Sequence, residues 1–162
     1  MSVSITESRE HLSDFLSNHS VGVLATSTKE GKPYAATVYL TFDQQLNIYF
    51  VTKKDTKKSR NLQENNQAAI AVFDAATQTT VQAEGAVVEV TDPEQVTWIT
   101  NDIWRTALNV SPSSPPPQTR LVAGAYVVYK LITPSLRMAT FIQQDSADYD
   151  KVFDVVSTRP TL

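Results

Sequence analysis

Residues 33–62 read PYAATVYLTFDQQLNIYFVTKKDTKKSRNL, and the change of period within this stretch decides the fold. From Pro33 to Phe42 the residues alternate. Tyr34, Ala36, Val38, Leu40 and Phe42 take one face, and Ala35, Thr37, Tyr39 and Thr41 take the other. A period of two is that of a half-buried strand. Asp43-Gln44-Gln45 reads as a turn, and Leu46, Ile48 and Phe50 resume the alternation over residues 46–52. From Asp55 the pattern becomes helical and runs to Glu64, where Asn65-Asn66 stops it. Strands joined by tight turns pair antiparallel, whereas a parallel pair would need a long crossover between them.

The same stretch concentrates positive charge. Lys53, Lys54, Lys57, Lys58 and Arg60 lie at the junction of strand and helix, in a chain of formal net charge -3. A helix N-terminus presents unpaired N–H groups and a partial positive charge. Lysines and threonine hydroxyls added to such an end make an anion site, most naturally one for a phosphate.

Working outward, residues 4–18 predict an amphipathic helix. Ser4 and Glu7 have capping-box spacing, and Ile5, Leu12 and Leu16 share a face with Phe15 beside them. His11 and His19 read as surface or packing residues, since neither has a second histidine one turn away. Val21 to Ser27 is a short apolar strand, and Lys29-Glu30-Gly31-Lys32 a hairpin turn. Residues 67–74 and 79–91 predict two more strands around the turn Ala75-Ala76-Thr77-Gln78. The apolar phase shifts near Gly85, which implies a bulge or a close backbone approach.

Asp92 and Pro93 then suit the cap and first position of a helix whose buried stripe is Val96, Ile99, Ile103 and Ala107. Trp98 and Trp104 cannot both lie on that stripe, and a packed core role is expected for either. Residues 111–117 are a proline- and serine-rich loop, and 121–132 and 136–142 are strands. The tail is polar and acidic at first, then apolar at Val152, Phe153, Val155 and Val156. The reading is about seven strands and three helices, mostly consecutive strands, hence a mainly β chain with α+β elements: an antiparallel barrel with peripheral helices. One domain spans residues 1–142, and the tail 143–162 either folds over it or packs on a second subunit.

Composition narrows the function. A sequence pI of about 5.3 argues against a general nucleic-acid or anionic-membrane binder. The absence of cysteine excludes disulfides and thiol catalysis. No apolar run approaches the ~20 residues of a membrane helix, and the N-terminus lacks signal-peptide organisation, so a cytoplasmic protein is expected. With four glycines there is no Walker-type loop, G-x-G-x-x-G or G-x-S-x-G elbow. Tyr39, Tyr49 and Tyr126 are the acid–base candidates, each read as structural, so no catalytic residue is assigned.

The ordered series resembles a known family. It comprises Val21-Gly22-Val23-Leu24-Ala25-Thr26, Gly31-Lys32-Pro33, the strand ending Phe42-Asp43, Ile48-Tyr49-Phe50-Val51-Thr52, Lys57-Lys58-Ser59-Arg60-Asn61-Leu62 and Val81-Gln82-Ala83-Glu84-Gly85. In sequence and turn lengths it is similar to the FMN-binding split-barrel proteins, the pyridoxamine 5′-phosphate oxidase-like family. The likeness is close over residues 5–91 and looser over the last two strands.

The resemblance implies an antiparallel split β-barrel, a homodimer with cofactor sites at the interface, and an FMN-dependent oxidoreductase acting on a small substrate. It places Lys58 at the flavin phosphate, with Lys57 as a second cation and Thr52 and Thr56 as hydroxyl donors. It sets Thr37, Val38, Phe50 and Val51 along the flavin ring and brings Gln82 to the cofactor from the other subunit. A deazaflavin cofactor would call on the same lysines, and a haem-binding, flavin-carrier or stress-related role on this fold is the non-catalytic alternative. Two departures stand out. The arginine-rich C-terminal segment that holds the substrate phosphate in the oxidases is represented only by Arg137 and Arg159. Thr56-Lys57 also stand where the family often has an arginine, which removes a bidentate phosphate contact.

Overall fold

The computed structural model describes residues 5–113, 124–140 and 153–157. The chain runs α1 (Ile5–Asn18), β1 (Val21–Ser27), β2 (Pro33–Phe42), β3 (Ile48–Lys53), α2 (Lys57–Glu64), β4 (Gln67–Asp74), β5 (Thr79–Glu89), α3 (Pro93–Val110), β6 (Tyr126–Ile132), β7 (Ser135–Thr140) and β8 (Phe153–Ser157). All strand pairings are antiparallel. The order β4-β1-β2-β3-β6-β5 closes through a β4–β5 pairing into a barrel, and β7 and β8 extend it from β5.

The split in the barrel is made by β5. Along one edge it pairs continuously with β4, from Thr79↔Asp74 to Ala86↔Gln67. Along the other it pairs first with β7, from Thr79 to Ala83, and then with β6, from Ala86 to Glu89. Gly85 lies at the changeover. A Cβ there would come within 2.1 Å of the Ile132 carbonyl oxygen, so only glycine lets the β6 end pass this closely. The phase shift expected near Gly85 is this close approach.

Two apolar layers hold the barrel. Inside it, Leu24, Leu40, Phe50, Val72, Val81 and Leu131 form the centre of one cluster, and Leu12 and Leu16 of α1 close one end. Both leucines are essentially inaccessible. Burying a side chain of this size is worth about 1.5–3 kcal/mol, enough to hold α1 as a fixed cover. Outside it, Ile99 and Ile103 of α3 pack on Tyr49, Val51 and Val128. Strand β3 is therefore buried on both faces from Ile48 to Thr52. Asp92 caps α3 as expected, its Oδ1 accepting from the Gln95 N–H at 2.8 Å.

Three expectations change. The strand count is eight, because residues 153–157 of the tail pair with β7. Leu46 is not in β3 but in the preceding turn, with φ 65°. Neither tryptophan of α3 is a core residue, since Trp98 and Trp104 are each 43% exposed. The cap at Ser4, the loop beyond Ser113, the strand start at Leu121, the strand end at Ile142, most of the tail and Arg159 lie outside the described residues.

Candidate functional site

The α2 N-terminus is anchored before any ligand is considered. Thr56 is its N-cap, the Oγ1 accepting from the Ser59 N–H at 3.3 Å. The Thr56 hydroxyl donates to the Lys53 carbonyl at 3.0 Å. Its one proton is thus committed, so in the 3.1 Å contact between the two threonines Thr52 is the donor. Deeper in the helix, Ser59 meets the Tyr129 hydroxyl at 3.1 Å inside the barrel. Asn61 Nδ2 donates to Thr26 Oγ1 at 3.1 Å, and Asn65 Nδ2 to Ser27 Oγ at 2.9 Å. Three buried or half-buried polar contacts fix α2 to β1 and β6, and with it the direction of its first N–H groups.

Those groups are available. Ser59 N–H is used by the cap and Arg60 N–H by the Thr56 carbonyl, while those of Lys57 and Lys58 have no acceptor among the described residues. Lys58 is half-buried, and burial lowers its ammonium pKa below the ordinary lysine value. No carboxylate pairs with it among the described residues. A partly desolvated cation on a helix start with two uncommitted N–H donors is chemically suited to an anion. Lys57 stands at the rim, exposed, with Nζ 4.7 Å from the centroid of the Tyr34 ring. As placed, Thr52 and Thr56 spend their hydroxyl protons bracing the turn.

The anion site adjoins an opening in the sheet. β2 and β3 are paired only at Leu40↔Phe50, Thr41↔Tyr49 and Phe42↔Ile48. Beyond that point β2 continues along β1 to Pro33, and β3 continues along β6 to Lys53. The two strands diverge, so the edges they would have shared leave backbone donors and acceptors facing the gap. Thr37 and Val38 lie on one edge and Phe50 and Val51 at the other. Of these, Thr37 alone has an exposed side chain. Val38 and Phe50 point into the barrel core, and Val51 packs beneath α3. A ligand in the gap meets the last three through their backbone.

Gln82 is not at this opening. It sits on β5 with its side chain exposed, in a cross-strand row Thr37–Val23–Ala71–Gln82–Arg137 on the outer face. Three strand spacings separate Thr37 from Gln82, roughly 14 Å. Between them lie exposed apolar residues, Val23 at 46% and Phe73 at 57% among them. A cavity of about 290 Å³ opens on this face, lined by Val23, Ala71, Gln82 and Arg137 with the β6–β7 turn.

Other candidates are structural. The Tyr49 hydroxyl donates to Asp43 Oδ2 at 2.8 Å. Burial, then that carboxylate, push its phenol well above the usual tyrosine value. Tyr39 and Tyr126 pack at the edge of the α3 cluster. His11 is exposed; His19 Nδ1 is 2.7 Å from the Phe15 carbonyl, its Nε2 3.6 Å from Asp74, and its ring stacks on Phe15. Tyr34 was not anticipated at the site. Its place on the half-buried face of β2, one strand from a lysine-rich helix start, was a signal for it.

Likeness to known proteins follows the same outline. Similar folds include a conserved hypothetical protein of Mycobacterium tuberculosis (19% identity, TM-score 0.67, covering 85% of this chain and 90% of that one). A heme-binding protein of Mycobacterium smegmatis matches at 17% identity and TM-score 0.65, over 98% of this chain and 60% of its own. A pyridoxamine 5′-phosphate oxidase-related, FMN-binding protein of Nostoc punctiforme matches at 14% identity and TM-score 0.57, over 99% and 100%. The family model described as pyridoxamine 5′-phosphate oxidase matches residues 8–130. The strand order, the split at Gly85 and this match together assign the chain to the pyridoxamine 5′-phosphate oxidase-like family.

Proposed function

We propose that this protein is an FMN-dependent oxidoreductase acting on a small molecule, and that it works as a cytoplasmic homodimer. The observation that carries the reading is Lys58: a half-buried lysine with no carboxylate partner among the described residues, beside the free N–H groups of Lys57 and Lys58. These groups suit the phosphate of FMN, with Lys57 as a second cation at the rim. The diverging edges of β2 and β3 suit the planar ring, offering backbone donors and acceptors near Thr37, Val38, Phe50 and Val51. Thr52 and Thr56 hold the turn that aims α2. When bound, FMN would supply the two-electron redox chemistry, so no side chain need act as acid or base. The chain's part is to bind, orient and shield the cofactor.

The dimer reading draws on the outer face. Val23, Ala25, Ala71 and Phe73 form an exposed apolar strip between Thr37 and Gln82. A second copy over that strip would bring its Gln82 towards the first copy's opening. Among the described residues no helix is long and apolar enough to cross a membrane, in keeping with the proposed compartment.

Haem fits less well. An axial ligand would normally be a histidine, and His19 is engaged at Nδ1 by the Phe15 carbonyl with its ring stacked on Phe15, while His11 lies on the solvent side of α1. A deazaflavin would use the same lysines. Vitamin B6 oxidation is a weaker reading, because the described part of the C-terminal region offers Arg137 rather than an arginine-rich segment.

The test is an absorbance spectrum of the purified protein before and after adding FMN and gel-filtering, with the mass measured by light scattering. Retention of about one flavin per chain in a dimer is expected. No retained flavin, or retention by a monomer, overturns the reading. A retained deazaflavin spectrum would change the cofactor and keep the site.

A further inference from the structure

At the opposite end of β2 from Lys57, roughly 23 Å away from Tyr34 by strand rise, the chain carries a second polar crevice. It has a volume of about 290 Å³ and lies between the C-terminal end of α1, the end of β2 and the middle of α3. Ser20 lines it, 4% exposed, and its Oγ has no hydrogen-bond partner among the described residues. A buried hydroxyl without a partner is unfavourable, which favours a polar occupant.

The charges around the crevice say what kind. Asp102 is held on one side by the Thr41 hydroxyl, which donates to its Oδ2, and on the other by the Arg105 guanidinium. Each carboxylate oxygen keeps a further lone pair. Ser17 and Thr106 send their hydroxyl protons back to the Ser13 and Asp102 carbonyls, leaving only acceptor capacity towards the crevice. The last turn of α1 holds no basic residue to offset its partial negative charge. The crevice thus sets acceptors beside donors. Asp102 and the Ser17 and Thr106 oxygens offer negative potential that suits an ammonium. The Ser20 hydroxyl and the N–H groups of Arg105, paired with Asp102 and 76% exposed, suit a carboxylate next to it on the same small molecule. Trp98 and Phe42 supply an apolar wall.

We propose that this crevice binds a small amino-carboxylate zwitterion, of the α-amino acid class. The ammonium lies against Asp102, and the carboxylate against Arg105 and Ser20. The site is independent of the flavin reading, since none of its residues belongs to α2 or to the diverging part of β2.

The test uses the full chain carrying W104F, which leaves Trp98 as its one tryptophan and places the reporter on the crevice wall. The common L-amino acids other than tryptophan and tyrosine are titrated singly to 20 mM against glycerol and glucose as uncharged controls, following indole fluorescence. A saturable change with one or a few amino acids is expected, with affinity at least tenfold weaker in D102N and severalfold weaker in S20A. Absorbance of added FMN should not change. No saturable response to any amino acid, a response to the polyols alone, or equal affinity in D102N would overturn the proposal. Should D102N fold poorly by circular dichroism, S20A decides, because it removes one buried hydroxyl with no change of charge: unchanged affinity there refutes the assignment.

Discussion

Replacing Lys58 with methionine keeps most of the stem and removes the charge, and it should act with opposite sign on the free and loaded protein. In the free protein the ammonium is partly desolvated and has no carboxylate beside it among the described residues. The variant should therefore unfold at the same temperature as the parent or slightly above it. In the loaded protein a charged hydrogen bond to phosphate is lost, worth about 1.5–3 kcal/mol, or roughly ten- to 150-fold in the dissociation constant of FMN. The pH dependence has a definite direction. A lysine whose pKa is lowered on folding binds fewer protons folded than unfolded, so its contribution to stability rises with pH from its folded value up to the ordinary 10.5. FMN affinity should fall over that same window, as the ammonium that meets the phosphate is lost. Flavin fluorescence titration and thermal unfolding, each on both proteins at pH 7 and at pH 10, measure all of this. An FMN affinity within twofold of the parent, or a clear loss of stability in free K58M, would refute the reasoning.

Gly85→Ala should prevent folding or cost about 3 kcal/mol or more in urea denaturation, because the added Cβ would sit 2.1 Å from the Ile132 carbonyl oxygen; a cost under 1 kcal/mol would mean that β6 can shift freely. Asn61→Leu should cost about 1–3 kcal/mol by leaving Thr26 Oγ1 without its donor in the interior, and should weaken FMN binding further by loosening α2, as a combined denaturation and fluorescence series would show. Ala71→Arg places a charge in the middle of the exposed apolar strip. A folded monomer by light scattering with FMN affinity down at least tenfold is expected, and a loaded dimer would remove that face from the interface.

The legible part of this fold was local. The period-two run of β2, the helix after β3 and the Asp92-Pro93 start of α3 are each written in a few adjacent residues, and each is found within one or two positions of its expected end. Gly85 announced a close approach, yet not that β5 exchanges one partner for another there, because pairing is a property of distant segments. The same reason hides β8, whose five residues look like a tail until β7 offers an edge. Trp98 and Trp104 misled for a physical reason. Large aromatics favour burial on average, but the helix stripe was already filled by Ile99, Ile103 and Ala107. At the candidate site, the charge cluster marks the helix start proposed to hold an anion, whereas the opening beside it depends on where β2 and β3 stop pairing. The crevice of Ser20 and Asp102 was invisible, since its members come from three elements and form no motif.

The positions of Thr37 and Gln82 bear on how cofactor and assembly depend on each other. Both are exposed on one face and share a cross-strand row, but roughly 14 Å of sheet lies between them. A group seated where β2 and β3 diverge cannot meet the Gln82 of its own chain across that distance. If it meets a glutamine at all, a second copy must supply it, and the row between, Val23 and Ala71, is apolar and small enough to let two sheets approach. The proposed anion end has no such dependence: Lys58, the free N–H groups and the threonine brace are all built by one chain. Phosphate alone should therefore bind a monomeric variant such as A71R about as well as the parent, while FMN should bind it far more weakly. The gap between the two affinities measures how much of the site is completed by assembly.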